Sequence, residues 1–275
     1  MVENIIDMHM HIEFDRSVDR KEYSAFPEKF EEYVEHTGIE KALVLTYCAN
    51  DCSHERHSVD ELMKINRNLS DYVRGKNNLF AFARVDPTMS HEDTERILLE
   101  ISRMNFVGIK LHPMDGFSVE NLSAYKPIFD FAVKQKMPVM VHTWYDTGAI
   151  HWPKVISHMP VRCVAEVAKK YDIPFIAAHA NIGEDPSIEE CMEVPNLYLD
   201  TSVQPMHPLV QFATMNPDSH IWDRVFYGSD FAVFRLPKFQ CIDLITPEKI
   251  REQTPDIAER LLKLNAERFI QKFLK

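Results

Sequence analysis

The chain has 275 residues, 45% of them hydrophobic and 27% charged, and a net charge of −11. This length bounds it to one large α/β domain or two small ones, with the composition of an ordinary globular protein. The acidic balance, with no compensating basic stripe, argues against nucleic-acid backbone as a partner, and no apolar run approaches the length of a membrane span.

The first predicted strand covers residues 4–12 and carries His9 and His11. Strands alternate their side chains, so the two imidazoles should project together, with Met8, Met10 and Ile12 packing the other way. Two neutral imidazoles side by side can chelate a zinc-type ion. A His-x-His pair alone is a weak signal in a chain with thirteen histidines. A helix is predicted over 27–38, with Pro27 at its start and Gly38 past its end. The second strand is 41–47, followed by a helix over 58–75 that Ser58 can cap. The third strand, 79–86, is closed by Pro87. An amphipathic helix over 90–105 places Ile97, Leu98, Ile101 and Met104 on one face.

The fourth strand, 106–112, ends on Lys110 and His112, and a helix follows over 122–136. The fifth strand, 138–144, ends on His142 and Trp144, with a helix over 161–171. The sixth, 174–181, ends on His179 and Asn181. The seventh, 197–202, ends on Asp200 and Ser202. The eighth, 224–230, ends on Asp230. A last helix is predicted over 255–274, with Pro255 suited to its first turn.

Strands alternating with helices imply βαβ units and a parallel sheet. Eight of them imply closure into a (β/α)8 TIM barrel forming a single domain over 1–275. An open doubly wound sheet would be expected to show a Gly-rich turn after an early strand, and none of the seven glycines makes one. In a barrel the active site lies at the strand ends, where these histidines, lysine and aspartates gather. No leader segment is expected, because residues 1–12 already read as core strand. The five scattered cysteines suit a reducing, cytoplasmic setting better than a disulfide framework.

Six segments carry a family resemblance: Asp7-Met-His-Met-His11, Gly108-Ile-Lys-Leu-His-Pro113, Val141-His142, Ala178-His179, Tyr227-Gly-Ser-Asp230 and Asn265-Ala-Glu-Arg-Phe269. In this order and on these strands they resemble the amidohydrolase superfamily, and within it the amidohydrolase-2 branch of metal-dependent barrels. The resemblance implies that His9, His11, His142 and Asp230 bind the metal. It gives Asp230 and His179 acid/base roles, and it allows a homodimer. One divalent ion, zinc by default, is expected. A second ion, with carbamylated Lys110 as bridge, is the alternative stoichiometry.

Such a site implies a metal-dependent hydrolase of a small anionic ester, lactone or amide, working through metal-activated water. A non-oxidative decarboxylase on the same metal is the alternative, and a catalytically silent ligand-binding barrel ranks below both. Lys110, His112, Trp144 and Arg235 are expected to contact a carboxylated substrate, with a surface role for Arg235 equally open. Cys48, Cys52, His54 and His57 could hold a second zinc by residue type, but their spacing fits no standard pattern. This loop, with His151 and Trp152, is expected to cover the pocket. His36, His91, His158, His207 and His220 read as solvated.

Overall fold

Alternation along each strand decides which side chains face the helices and which face the barrel interior. The computed structural model describes residues 4–16, 24–46, 57–113, 119–144, 159–235 and 242–274. Eight parallel strands pair in sequence order: β1 (Ile5–Ile12), β2 (Ile39–Thr46), β3 (Leu79–Val85), β4 (Gly108–Leu111), β5 (Val139–His142), β6 (Phe175–Ala178), β7 (Leu197–Asp200) and β8 (Val225–Phe226). The end of β8 returns to β1 through Met8 N–H donating to Tyr227 O (2.9 Å), His11 N–H to Phe231 O (2.7 Å) and Asp230 N–H to His9 O (2.7 Å). These bonds bring the two outer strands together, and the sheet is the single-domain (β/α)8 barrel expected from the sequence.

The helices are α1 (Pro27–Thr37), α2 (Val59–Val73), α3 (His91–Ile101), α4 (Leu122–Gln135), α5 (Val161–Ala168), α6 (Ile188–Cys191), α7 (Met206–Met215), α8 (Pro247–Gln253), α9 (Pro255–Glu259) and α10 (Asn265–Phe273). Ser58 caps α2 in a reciprocal box with Glu61, and Gly38 ends α1 in the left-handed region at φ 71°. The predicted C-terminal helix is broken. A π-helical turn at Arg260–Leu264 separates α9 from α10, and Leu261 O there accepts from Tyr227 N–H, which ties the turn to the end of β8. Helices α6, α7 and α8 go beyond the sequence expectation. No helix among the described residues is long and apolar enough to cross a membrane.

Two apolar layers result. Val44, Ala83, Ile109, Val141, Ala177 and Leu199 face outward and pack with Leu62, Ile97 and Phe129 of the helices. Ile6, Met8, Leu43, Leu45, Phe82, Met140, Ile176 and Phe226 fill the interior, and Phe269 of α10 joins them. The Phe269 ring meets Tyr198 and Phe226 edge-on at 4.8 and 5.2 Å, so apolar side chains plug the barrel at this end. Polar residues are left to the opposite, C-terminal end of the strands.

Met8 departs from the expected alternation. It packs inside the barrel with Ile6, whereas Met10 and Ile12 pack outside as expected. Between Asp7 and Met10 the β1 ladder advances three residues against two on β2, from Ala42 to Val44. That extra residue is a β-bulge, which re-aims the side chains after it.

Candidate metal centre and active site

The bulge turns His9 and His11 inward above the Met8 layer, and both are buried. His9 Nε2 lies 3.2 Å from His11 Nε2, His11 Nε2 lies 2.9 Å from Asp230 Oδ1, and His9 Nε2 lies 3.5 Å from Asp230 Oδ1. Asp230 reaches this point from beyond β8. Its backbone is left-handed at φ 56°, and its N–H donates to His9 O. A side chain held in that sparsely populated region is one that the surrounding structure fixes.

Proton placement decides what this triangle is. His11 Nδ1 faces Thr46 O at 3.0 Å, and His9 Nδ1 faces Asp200 Oδ2 at 2.8 Å. Both partners are acceptors, so each Nδ1 carries the proton and each Nε2 presents a lone pair. Two lone pairs and a carboxylate oxygen therefore converge with no proton to share. Asp230 Oδ1 is correspondingly buried without a hydrogen-bond partner. Separations of 2.9–3.5 Å bracket the ~3.3 Å edge of a tetrahedron with metal–ligand bonds of about 2.0–2.1 Å. The donor set fits a divalent cation.

Behind the triangle, Asp200 at the end of β7 holds the site together. Its Oδ2 orients His9, while its Oδ1 accepts from His179 N–H (3.0 Å), Ser202 N–H (3.0 Å) and the Ser202 hydroxyl. The chain passes His179 in a left-handed turn at φ 58°. His179 Nδ1 donates toward Ser202 O at 3.1 Å and Ser202 Oγ at 2.9 Å, which leaves its Nε2 as an acceptor. A second cluster of potential ligands, His9, His179 and Asp200, coincides with these contacts.

Asp7 closes the rear of the site. Its Oδ1 accepts from His9 N–H and Ser229 N–H, both at 3.0 Å, and so links β1 to the segment carrying Asp230. Gly228 gives that segment its close approach: a methyl there would stand 2.8 Å from His9 Cβ.

The electrostatics follow burial and proximity. Burial and then the Lys110 charge lower His9 to about 4. Burial also lowers His179, and it takes His142 well below the ordinary histidine value, helped by His112, His179 and Lys110. Burial alone would raise Asp230 and Asp200. At Asp200 the facing His9 and its hydrogen bond outweigh it and hold the carboxyl below its usual range; at Asp230 the same lowering needs positive charge at the triangle, which in these tautomers a bound cation would supply. Burial pushes Asp7 the other way, up to about 7.

The remaining expected residues fall around this core. The His142 ring stacks on His112 at 4.1 Å and meets His179 edge-on at 4.7 Å. His142 lies outside the His9–His11–Asp230 group, and its Nε2 is buried with no hydrogen-bond partner among the described residues. Trp144 is buried, its ring 6.2 Å from His179. Lys110 is buried and faces inward from β4. Arg235 lies over the rings of Phe231 (5.0 Å), Tyr33 (5.7 Å) and Phe234 (5.8 Å), an aromatic bed beside α1. Cys48, Cys52, His54, His151, Trp152 and His158 lie outside the described residues, while His57 is buried. His36, His91, His207 and His220 are exposed, as expected. The sequence reading noted Asp200 and Ser202 as polar strand ends but gave them no role.

A TIM barrel whose strand ends converge two imidazoles and a carboxylate defines a metal-dependent barrel enzyme. The chain belongs to the amidohydrolase family whose model, Amidohydro_2, matches residues 6–271. It matches no curated protein. Among solved structures it is similar to a probable 2-pyrone-4,6-dicarboxylic acid hydrolase from Acinetobacter baumannii with citric acid bound (14% identity, 96% of this chain and 98% of that one, TM-score 0.59). It is also similar to a 2,6-dihydroxybenzoate decarboxylase from Rhizobium (12%, 98% and 99%, 0.62). A third is the 5-carboxyvanillate decarboxylase from Novosphingobium aromaticivorans, complexed with manganese and 4-hydroxy-3-methoxy-5-nitrobenzoic acid (14%, 98% and 96%, 0.65). These relatives include both hydrolases and decarboxylases.

Proposed function

We propose that this chain is a metal-dependent hydrolase of a small carboxylated ester, lactone or amide. The observation that carries the reading is the convergence of His9 Nε2, His11 Nε2 and Asp230 Oδ1 within 3.5 Å, with His179 beside His9. With a cation at the triangle Asp230 would stay a carboxylate, and His179, its Nδ1 proton directed at Ser202, offers Nε2 as an acceptor, so both groups can accept protons. Drawing a proton from water is what hydrolysis needs first.

His9 Nε2, His11 Nε2 and Asp230 Oδ1 would hold one zinc-type ion, with the buried His142 Nε2 as a fourth donor. When bound, such an ion would polarise a carbonyl oxygen and lower the pKa of an adjacent water to about 7. Asp230 takes the water proton on its other oxygen, Oδ2, and passes it to the leaving group. His179 Nε2 accepts a hydrogen bond from the same water and aims it. Lys110 attracts the substrate carboxylate, and His112 and Trp144 flank it.

The decarboxylases among the similar structures favour a second reading, a lyase on the same ligands. It would have to deliver a proton to carbon, which an ionised Asp230 does not do at rest.

Metal analysis tests the centre: about one equivalent per chain is expected in the wild type and none in the His9→Ala/His11→Ala variant. About two equivalents would bring in a carbamylated Lys110 instead. The reaction is tested by incubating the loaded enzyme with carboxylated lactones and with hydroxybenzoates. Acid release without carbon dioxide supports hydrolysis, and carbon dioxide release overturns it in favour of the lyase.

A further inference from the structure

Helices α3 and α4 lie side by side on the outside of the barrel. Each leads from one parallel strand back to the start of the next, so the two helices run parallel to each other. Between their outer faces lies a groove of about 680 Å³, with Leu98 and Leu99 of α3 and Pro127 and Phe131 of α4 as its apolar lining. Leu98 and Phe131 also pack on the core behind, which fixes the groove's shape. Leu99 differs from its neighbours. It stands on the crest of α3 and is 54% exposed, whereas Ile97, Leu98 and Ile101 are buried. A single exposed leucine needs no explanation, but one that rims an apolar groove belongs to a larger patch.

Charge gives the patch a direction. Helical spacing sets Glu92, Glu95 and Leu99 in one stripe along the crest of α3, so the stripe is acidic at its N-terminal end and apolar in the middle. On α4, Asp130 is engaged by Lys126. Lys134 in the last turn and Lys136 just past it are exposed and belong to no ion pair among the described residues. The face is therefore acidic at one end and basic at the other.

A surface with opposite charges at its two ends is complementary to itself turned end for end, and a two-fold axis applies a patch to its own copy in that way. The crest of one α3 then lies antiparallel in the groove of the second copy, with Leu99 on the Leu98, Pro127 and Phe131 lining. Glu92 and Glu95 of each copy fall beside Lys134 and Lys136 of the other, which fixes the register. Two adjacent helices ~10 Å wide and roughly 16–21 Å long offer about 400 Å². That is half the ~800 Å² per partner of a standard interface, so the association should be weak.

We propose that the α3–α4 face is a self-association surface, on which two copies of this chain meet antiparallel across a two-fold axis, each seating its Leu99 crest in the groove of the other. The face lies on the helix layer, so the inference does not depend on the proposed reaction.

Sedimentation velocity over about 1–300 μM tests it, and the wild type should pass from monomer to dimer with a Kd of roughly 10–100 μM. Leu99→Asp should weaken association at least about tenfold. Glu95→Lys and Lys134→Glu should each weaken it about three- to tenfold, and the two together should return it to within about threefold of the wild type, because the swap restores opposite charges across the axis. A wild type that stays monomeric to about 300 μM would overturn the proposal and leave the groove to a different partner. A dimer indifferent to Leu99→Asp, or charge reversals that fail to compensate each other, would overturn it as well and place the contact between copies elsewhere. Should Leu99→Asp melt below the wild type, the reversals at Glu95 and Lys134, both exposed, carry the comparison by themselves.

Discussion

Replacing Asp200 with asparagine should disable the metal centre without touching a ligand. The carboxylate uses its two oxygens differently: Oδ1 accepts from two backbone N–H groups and the Ser202 hydroxyl, while Oδ2 faces His9 Nδ1 at 2.8 Å. In an asparagine the amide oxygen must take the Oδ1 position, because three donors point at it. The amide nitrogen then meets the His9 Nδ1 proton, donor against donor. His9 can escape by moving its proton to Nε2, which removes the lone pair that faces His11 and Asp230. Loss of such a supporting carboxylate costs roughly 10- to 100-fold in metal affinity, or about 1.4–2.7 kcal/mol, and a forced tautomer places this variant at the upper end. Competition against a chromogenic chelator measures the affinity, and nitrogen-15 NMR of the histidine rings reads the tautomer directly. A variant that binds metal within about twofold of the wild type, with His9 still protonated on Nδ1, would refute the reasoning.

Three further outcomes are expected. Gly228→Ala should cost about 1–3 kcal/mol in a denaturant melt and weaken metal binding with it, because the added methyl lies 2.8 Å from His9 Cβ and 3.3 Å from Ser202 Cβ; a melt equal to wild type would sink the close-approach argument. Asp7 supplies the pH test. Its carboxyl is raised from 3.8 to about 7 in the fold, so its contribution to stability is fully present below 3.8 and is lost as pH rises through 7. Asp7→Asn, which imitates the protonated form, should therefore gain on metal-stripped wild type by up to about 4 kcal/mol at pH 8 and match it near pH 4; parallel stability–pH curves for the two would contradict this. Stripping the metal should lower the melting temperature, and restoring it at a free concentration 100 times its Kd should return about 2.7 kcal/mol. The shift should vanish in His9→Ala/His11→Ala, and a shift that persists there would place the ion elsewhere.

The strands were legible because β-branched and other apolar runs closed by Pro or by polar residues recur eight times, and a parallel barrel needs little more. What escaped depended on neighbours distant in sequence. The bulge that turns Met8 inward follows from pairing with Ala42 and Val44, not from anything local to β1. The break in the last helix at Arg260–Leu264 occurs where Leu261 O is drawn to Tyr227 N–H. Strand β8 is only Val225–Phe226, because its polar end leaves the ladder to carry Asp230 inward. His9, His11, His179 and Asp230 could be singled out from type and place, and the fold brings them together. Asp200 could be seen as a polar strand end, but its role exists only because the fold sets it against His9, 191 positions away in the chain.

The bonds from the end of β8 back to β1 also bear on how the molecule is made. His9 belongs to the first strand of the barrel and Asp230 to the segment just past the last, so no fragment lacking either can assemble the proposed ligand set. Contacts this remote in sequence carry a high loop-closure cost and form slowly. During synthesis the whole stretch from His9 to Asp230 must emerge before an ion could be captured there, and capture would then lock the ring shut. Metal supply would thus act on the yield of folded protein as well as on its activity.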